Sequence, residues 1–145
     1  MKFRSKKGFM MVSVVLTVST FLTYLLISGF NNSDKDLSLW LPSIVLILAI
    51  PLFLLWILLQ TYYTLEEGNL KYVSGPIRGS IKISEITKVT KNTTLWVGLK
   101  PATARKGIII EYDQFNEMYI SPSNNDHFIQ KLLEINPNIE VIDKK

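Results

Sequence analysis

Two long apolar runs without a charged residue constrain this chain most strongly. No Asp, Glu, Lys or Arg occurs at residues 8–33 or 37–65. The stretch "FMMVSVVLTVSTFLTYLLISGF" has 22 residues. A helix of that length measures roughly 33 Å, which is enough to cross a hydrocarbon core of about 30 Å. The second run, "LWLPSIVLILAIPLFLLWILL", is more apolar still. We therefore predict two transmembrane helices, at about residues 9–30 and 39–60.

The short connection between the two runs sets the predicted topology. Only "NNSDKDLS", residues 31–38, separates them, so the helices should form an antiparallel hairpin. Four basic residues precede the first run, whereas the connection carries only Lys35 between two aspartates. By the positive-inside rule, both termini are expected in the cytoplasm and the loop outside. The topology-determining residues are Lys2, Arg4, Lys6 and Lys7.

This topology divides the chain into three parts. We predict a basic cytoplasmic N-terminus at residues 1–8, the two transmembrane helices within residues 9–63 and a cytoplasmic domain at residues 64–145. A cleaved signal peptide is the alternative, and it would leave one span with an external C-terminal domain. We favour retention because the first apolar run exceeds the usual 7 to 15 residues and no A-x-A-like cleavage site follows it.

The second half of the chain has the period of β-strands. "YYTLEEGNLKYVSG" alternates around Glu67 and Gly68 and predicts a hairpin with a short turn. "SIKISEITKVT" also alternates, and "GIIIEY" and "EMYIS" predict another strand pair with its turn at residues 113–116. Residues 92–106 are irregular. We therefore predict a small, mainly antiparallel β domain.

One amphipathic helix is predicted near the C-terminus. Ser121 and Pro122 are a suitable N-cap and first helical residue, and Asn136 with Pro137 should end the helix. The apolar positions at helical spacing are Phe128, Ile129, Leu132 and Leu133. An apolar stripe of this size must be buried, so the helix is expected to cap the sheet.

Several of these segments resemble one family. The strand ending "YISP", the helix "FIQKLLEINPNIEV" and the preceding "IKISEITKV" resemble the bacterial pleckstrin-homology-like domains of small membrane proteins of unknown function. The resemblance covers roughly residues 63–142. It implies a strongly bent antiparallel sheet or partial barrel capped by a C-terminal helix, and it implies no catalysis.

Catalytic and metal-binding patterns are weak in this sequence. The chain has no cysteine, and His127 is its one histidine. Glu111, Asp113 and Glu117 border a turn but lack the glycine-containing ligand ladder of a calcium loop. No phosphate-binding glycine loop or nucleophile elbow occurs. We expect no enzymatic activity, no metal and no cofactor.

Basic residues are concentrated in the first half of the predicted domain. Residues 71–106 contain eight basic residues and one acidic residue, whereas residues 107–145 contain three basic and seven acidic residues. The candidate contacts for anionic lipid or a partner are Lys82, Lys88, Lys91, Lys100, Arg105 and Lys106. Ordinary solvated positions on alternating strands are the alternative interpretation. Trp96 is the one tryptophan among these cations. Binding of single-stranded nucleic acid needs several exposed aromatic residues, so we expect no nucleic-acid partner.

The function predicted from these features is a membrane-anchored interaction module. Its cytoplasmic domain would bind a protein partner or anionic lipid headgroups at the inner leaflet. A self-immunity protein against a secreted bacteriocin, a role that the resemblance suggests, is an alternative from another class. An accessory subunit of a membrane complex is a further one. The sequence identifies neither the partner nor the oligomeric state.

Overall fold

In this computed structural model, residues 1–31, 37–95, 98–113 and 115–144 are described. The helices are α1 (Phe9–Asn31), α2 (Leu37–Leu59) and α3 (Asn125–Ile135). The strands are β1 (Lys2–Arg4), β2 (Thr61–Glu66), β3 (Asn69–Ser74), β4 (Ile77–Lys82), β5 (Ile86–Thr93), β6 (Gly107–Tyr112), β7 (Asn116–Ile120) and β8 (Glu140–Asp143). A short 3-10 turn, Ile83–Glu85, connects β4 to β5.

The two N-terminal helices contact each other. Within α1, Phe9–Gly29 has a mean hydropathy of 2.1 and is long and apolar enough to cross a membrane. It is the one described helix that meets both criteria, because the described apolar part of α2, Ile44–Leu59, is shorter. The predicted external loop, with Lys35, lies largely outside the described residues.

The first sheet contains β1, β2, β3 and β4 in that order, and all neighbours are antiparallel. The turn between β2 and β3 consists of Glu67 and Gly68, which both have positive φ (52° and 74°). Two residues with positive φ are the signature of the tight hairpin turn whose twist matches the strands. The predicted hairpin is therefore confirmed.

The second sheet has the order β7, β6, β5, β8. The hairpin of β6 and β7 is confirmed at its predicted place. β8 was not predicted, and it pairs in parallel with β5. It has only four residues and lies at the edge of the sheet, so its sequence carries little strand signal. The domain thus has two four-stranded sheets, and most of their strand pairs are antiparallel.

Helix α3 contributes to the hydrophobic core of the β domain, as predicted. Phe128, Ile129 and Leu132 are buried, and Asn136 is the C-cap. The core combines α3 with both sheets. Its fully buried apolar side chains include Leu70, Ile83, Val89, Ile108, Ile110, Met118 and Ile120.

The predicted N-cap of this helix is wrong. Asn124, not Ser121, is the N-cap, and its side-chain oxygen accepts a hydrogen bond from the backbone N–H of His127 at 3.0 Å. Ser121 is buried, and its hydroxyl is 2.9 Å from the hydroxyl of Ser5. A partner 116 residues away in the chain therefore replaces the local one that the sequence suggested.

The N-terminus is part of the β domain. β1 pairs with β2, with Phe3 opposite Tyr63. The Phe3 side chain is buried, and its ring meets the ring of Phe128 edge-on at 5.1 Å. The first sheet therefore extends beyond residues 64–145. The sequence did not indicate β1, because it has only three residues and two of them are basic.

Candidate functional site

A cluster of buried hydroxyl groups holds the N-terminal segment against the second half of the domain. The Ser5 hydroxyl lies 3.0 Å from that of Thr103 and 2.9 Å from that of Ser121. The backbone N–H of Lys6 donates to the carbonyl oxygen of Ser121 at 2.7 Å, and the N–H of Gly8 donates to that of Thr103 at 3.0 Å. A Cβ atom at Gly8 would lie 2.6 Å from that Thr103 oxygen. The close approach of the two segments thus depends on a glycine.

Tyr63 is at the centre of this cluster. Its hydroxyl donates to the carbonyl oxygen of Pro101 at 2.6 Å and accepts from the backbone N–H of Ser121 at 3.1 Å. Burial raises the pKa of the Tyr63 phenol, although the hydrogen bond from Ser121 opposes the shift. The neutral phenol therefore connects β2, the segment after β7 and the loop that contains Pro101.

A second tyrosine fixes the far end of the same loop. The Tyr119 hydroxyl donates to the carbonyl oxygen of Ala104 at 2.8 Å and accepts from the N–H of Gly107 at 2.9 Å. The Ser121 hydroxyl accepts from the N–H of Thr103 at 3.1 Å. Residues 101–107 are thus held in place although they contain no helix or strand before Gly107.

Between the start of α1 and this loop lies an open cleft of about 650 Å³, which we call the basic cleft. One wall comes from the first turns of α1, with Phe9, Met10 and Val14, and Leu95 also lines the cleft. Five cations from two distant segments also line it. They are Lys6, Lys7, Lys100, Arg105 and Lys106. A polar pocket of about 340 Å³ adjoins the cleft and shares Lys6, Arg105 and Lys106 with it.

The charges in the basic cleft have one sign. Among the described residues that line it, none is a carboxylate. Lys6, Lys7, Lys100 and Lys106 form no ion pair with any described residue. Like charges placed close together repel one another, and their summed field attracts anions. The cleft is therefore suited to bind a negatively charged group.

The structure divides the six predicted contact residues into two groups. Lys100, Arg105 and Lys106 line the basic cleft, whereas Lys82, Lys88 and Lys91 form ion pairs on other parts of the domain. The pairs are Lys82–Glu85 at 3.1 Å, Lys88–Glu111 at 3.2 Å, Lys91–Asp126 at 2.9 Å and Lys91–Asp143 at 3.1 Å. The hydrogen bond to Asp126, with a second to Asp143, raises the pKa of Lys91.

The sequence indicates Lys6 and Lys7 only as topology determinants, together with Lys2 and Arg4. Lys6 and Lys7 also line the cleft, whereas Lys2 lies over the ring of Tyr62, 3.7 Å from its centre. Arg4 is in β1. The one sequence feature that could have indicated their role in the cleft is their position just before the first apolar run. Trp96, the one tryptophan among the basic residues that bears on nucleic-acid binding, lies outside the described residues.

The basic cleft lies at the end of the domain from which the helices leave. β1 leads into α1 and α2 leads into β2, and Arg4 is paired with Tyr62 in the sheet. Lys82 is paired with Asn69 at the opposite end of the strands. Four residue steps of about 3.3 Å separate these two levels of the sheet by roughly 13 Å. The cations of the cleft are therefore closer to the helices than Lys82 is.

Metal-binding geometry is absent from the described part of the chain. No three His, Cys, Asp or Glu side chains within it are close enough together to hold an ion. The arrangement of the basic cleft favours binding of an anion.

Comparison with known proteins connects this architecture to a family. A family model described as "Bacterial PH domain" matches residues 61–136. The chain is 32% identical over 116 residues to the uncharacterized protein YyaB of Bacillus subtilis (strain 168), an alignment that covers 79% of each chain. No solved structure matches the chain.

Proposed function

This chain belongs to the bacterial PH domain family, and on that premise we propose that it is a membrane-anchored interaction module. In this proposal α1 and α2 both cross the membrane as a hairpin. They hold the β domain at the cytoplasmic face, where the basic cleft binds anionic lipid headgroups.

The apolar helices support the membrane part of the proposal. Phe9–Gly29 is long and apolar enough to span, and the full apolar run in α2 extends from about residue 39 to residue 59 in the sequence. Because β1 and β2 are neighbours in one sheet, the N-terminus and the β domain are on the same side of any membrane that the two helices cross. The basic residues before α1 favour the cytoplasmic side.

The position of the basic cleft supports the lipid part. Five cations converge at the end of the domain where α1 begins, and no described carboxylate lines the cleft. Each Lys or Arg near an anionic leaflet contributes about 1 kcal/mol, so the group would contribute several kcal/mol. The attraction acts over a Debye length of about 10 Å at 0.1 M salt. Lys82, at the far end of the strands, is outside this range. This convergence of cations beside α1 is the observation that carries the proposal.

The proposal can be tested in full-length protein reconstituted into lipid nanodiscs. The chain has no cysteine, so Ala102→Cys places a single thiol in the cleft and Ser84→Cys places a control thiol at the exposed 3-10 turn between β4 and β5. We expect a neutral maleimide to react more slowly with Ala102→Cys in nanodiscs containing phosphatidylglycerol than in phosphatidylcholine nanodiscs. The Ser84→Cys thiol should react equally in both.

Two controls separate docking of the cleft on lipid from a general effect of the charged membrane surface on the reaction rate. Replacing Lys6, Lys7, Lys100 and Lys106 together with glutamine should abolish the protection of the Ala102→Cys thiol while leaving the membrane charge unchanged. Salt at 1 M, where the Debye length is about 3 Å, should do the same. Equal reaction rates in both lipids, or protection that survives the four substitutions, would exclude lipid electrostatics and favour a protein partner.

A further inference from the structure

The basic cleft has two chemically different parts. Its cations lie on the segment before α1 and on the loop at residues 100–106, whereas Met10 and Val14 present an apolar wall. These two residues are four positions apart, so they lie on one face of α1, and the same helix continues into the apolar span. The apolar wall therefore continues along the helix from the cationic part.

A soluble anion would satisfy only one of these parts. Phosphate or a similar small ion neutralises the lysines but makes no use of the wall of Met10 and Val14, which belongs to the apolar span Phe9–Gly29. An amphiphile with an anionic head and an acyl chain contacts both, because its head meets the cations while its chain packs against the apolar wall and gains van der Waals contacts there. The volume of about 650 Å³ is within the range of 300–1,000 Å³ that is typical of sites for small molecules.

We infer that the basic cleft is a binding site for one anionic phospholipid molecule. Its phosphate contacts Lys6 and Lys100, and one acyl chain lies along α1 against Met10 and Val14. This inference rests on the proposed function and goes further, because electrostatic docking on a membrane surface requires no defined lipid and no acyl-chain subsite.

The apolar part of the cleft provides a selective test. Val14 is 43% exposed and lines the cleft, so Val14→Trp fills the acyl subsite without entering the core. Leu16→Trp is the matched control, because Leu16 is on the same helix and 62% exposed but does not line the cleft. Both variants keep every cation.

Native mass spectrometry of the full chain in a neutral maltoside detergent measures the binding. The probes are dioleoylphosphatidylglycerol, dioleoylphosphatidylcholine and glycerol 3-phosphate. We expect one molecule of phosphatidylglycerol to bind, with an affinity lowered about tenfold by Val14→Trp and unchanged by Leu16→Trp. Lys100→Gln should also weaken binding, and glycerol 3-phosphate should not compete at equal concentration.

The outcomes distinguish this inference from the proposed function. If Val14→Trp binds phosphatidylglycerol as the original chain does while Lys100→Gln binds it less well, the acyl subsite is refuted and headgroup electrostatics stands. Equal binding of phosphatidylcholine, or competition by glycerol 3-phosphate, also refutes the subsite for an anionic lipid. Hydrogen exchange of the β domain, unchanged in Val14→Trp, shows that a loss of binding does not come from unfolding.

Discussion

Replacing Phe3 with alanine tests whether a strand that precedes the first apolar helix belongs to the core of the β domain. The Phe3 side chain is 7% exposed. Its ring centre lies 5.1 Å from that of Phe128 and 5.6 Å from that of His127. The Phe3 ring belongs to the first sheet and contacts α3. The substitution would remove this contact between the sheet and the helix.

The expected loss of stability is large for a domain of this size. Substitution of a buried phenylalanine by alanine costs about 3 to 5 kcal/mol, which already includes the lost aromatic pair. A domain has a total unfolding free energy of about 5 to 15 kcal/mol. With a urea dependence of about 1 to 3 kcal/mol per molar, a loss of about 3 kcal/mol lowers the unfolding midpoint by at least about 1 M.

Pulse proteolysis in urea measures this midpoint for the full chain in detergent micelles, where cleavage within the β domain reports its unfolding. Phe115→Ala is the matched control, because Phe115 is 93% exposed and an exposed substitution changes stability by no more than about 0.5 kcal/mol. If the midpoints of Phe3→Ala and Phe115→Ala coincide, β1 is not part of the cooperative core.

Two further predictions concern the hydroxyl cluster and the topology. Because burial raises the pKa of Tyr63, the stability that its neutral phenol contributes is fully present below the unfolded pKa of about 10 and is lost as the pH rises through the higher pKa of the folded state. Tyr63→Phe should lower the urea midpoint at pH 7, since it leaves the carbonyl of Pro101 and the N–H of Ser121 unpaired at a cost of about 1 to 3 kcal/mol. It should also reduce the decline between pH 9 and 11, and an unchanged decline would argue against a buried phenol. Reporter fusions at Asn32 and at the C-terminus should report an external loop and a cytoplasmic domain, whereas an external C-terminus on a chain with an intact N-terminus would contradict the proposed orientation.

The sequence alone was enough to locate the elements with a strong local period. The apolar run of α1, the turn at Glu67 and Gly68, the hairpin of β6 and β7 and the buried face of α3 all follow from patterns within about twenty residues. These elements form where the pattern indicates, because the geometry of one helix or one strand pair decides which of their side chains lie on the same face. The family resemblance also came from such local segments.

Contacts between distant segments were decided only by the tertiary structure. Ser121 looked like a helix cap, but its hydroxyl lies against Ser5 and Thr103, and its backbone N–H donates to the Tyr63 hydroxyl. β1 and β8 are too short for their patterns to be recognised, and each is defined by its partner strand. Local periodicity carries no information about such pairs.

The candidate site shows the same division between composition and tertiary structure. The count of basic residues between positions 71 and 106 indicated an anion-binding surface, but all six candidates were equivalent in the sequence. Folding pairs Lys82, Lys88 and Lys91 with carboxylates, and it brings Lys100, Arg105 and Lys106 together with Lys6 and Lys7 beside α1. The physical reason is that ion pairing and convergence depend on strand register and on the hydrogen bonds between residues 5–8 and 101–104, which join segments almost one hundred residues apart.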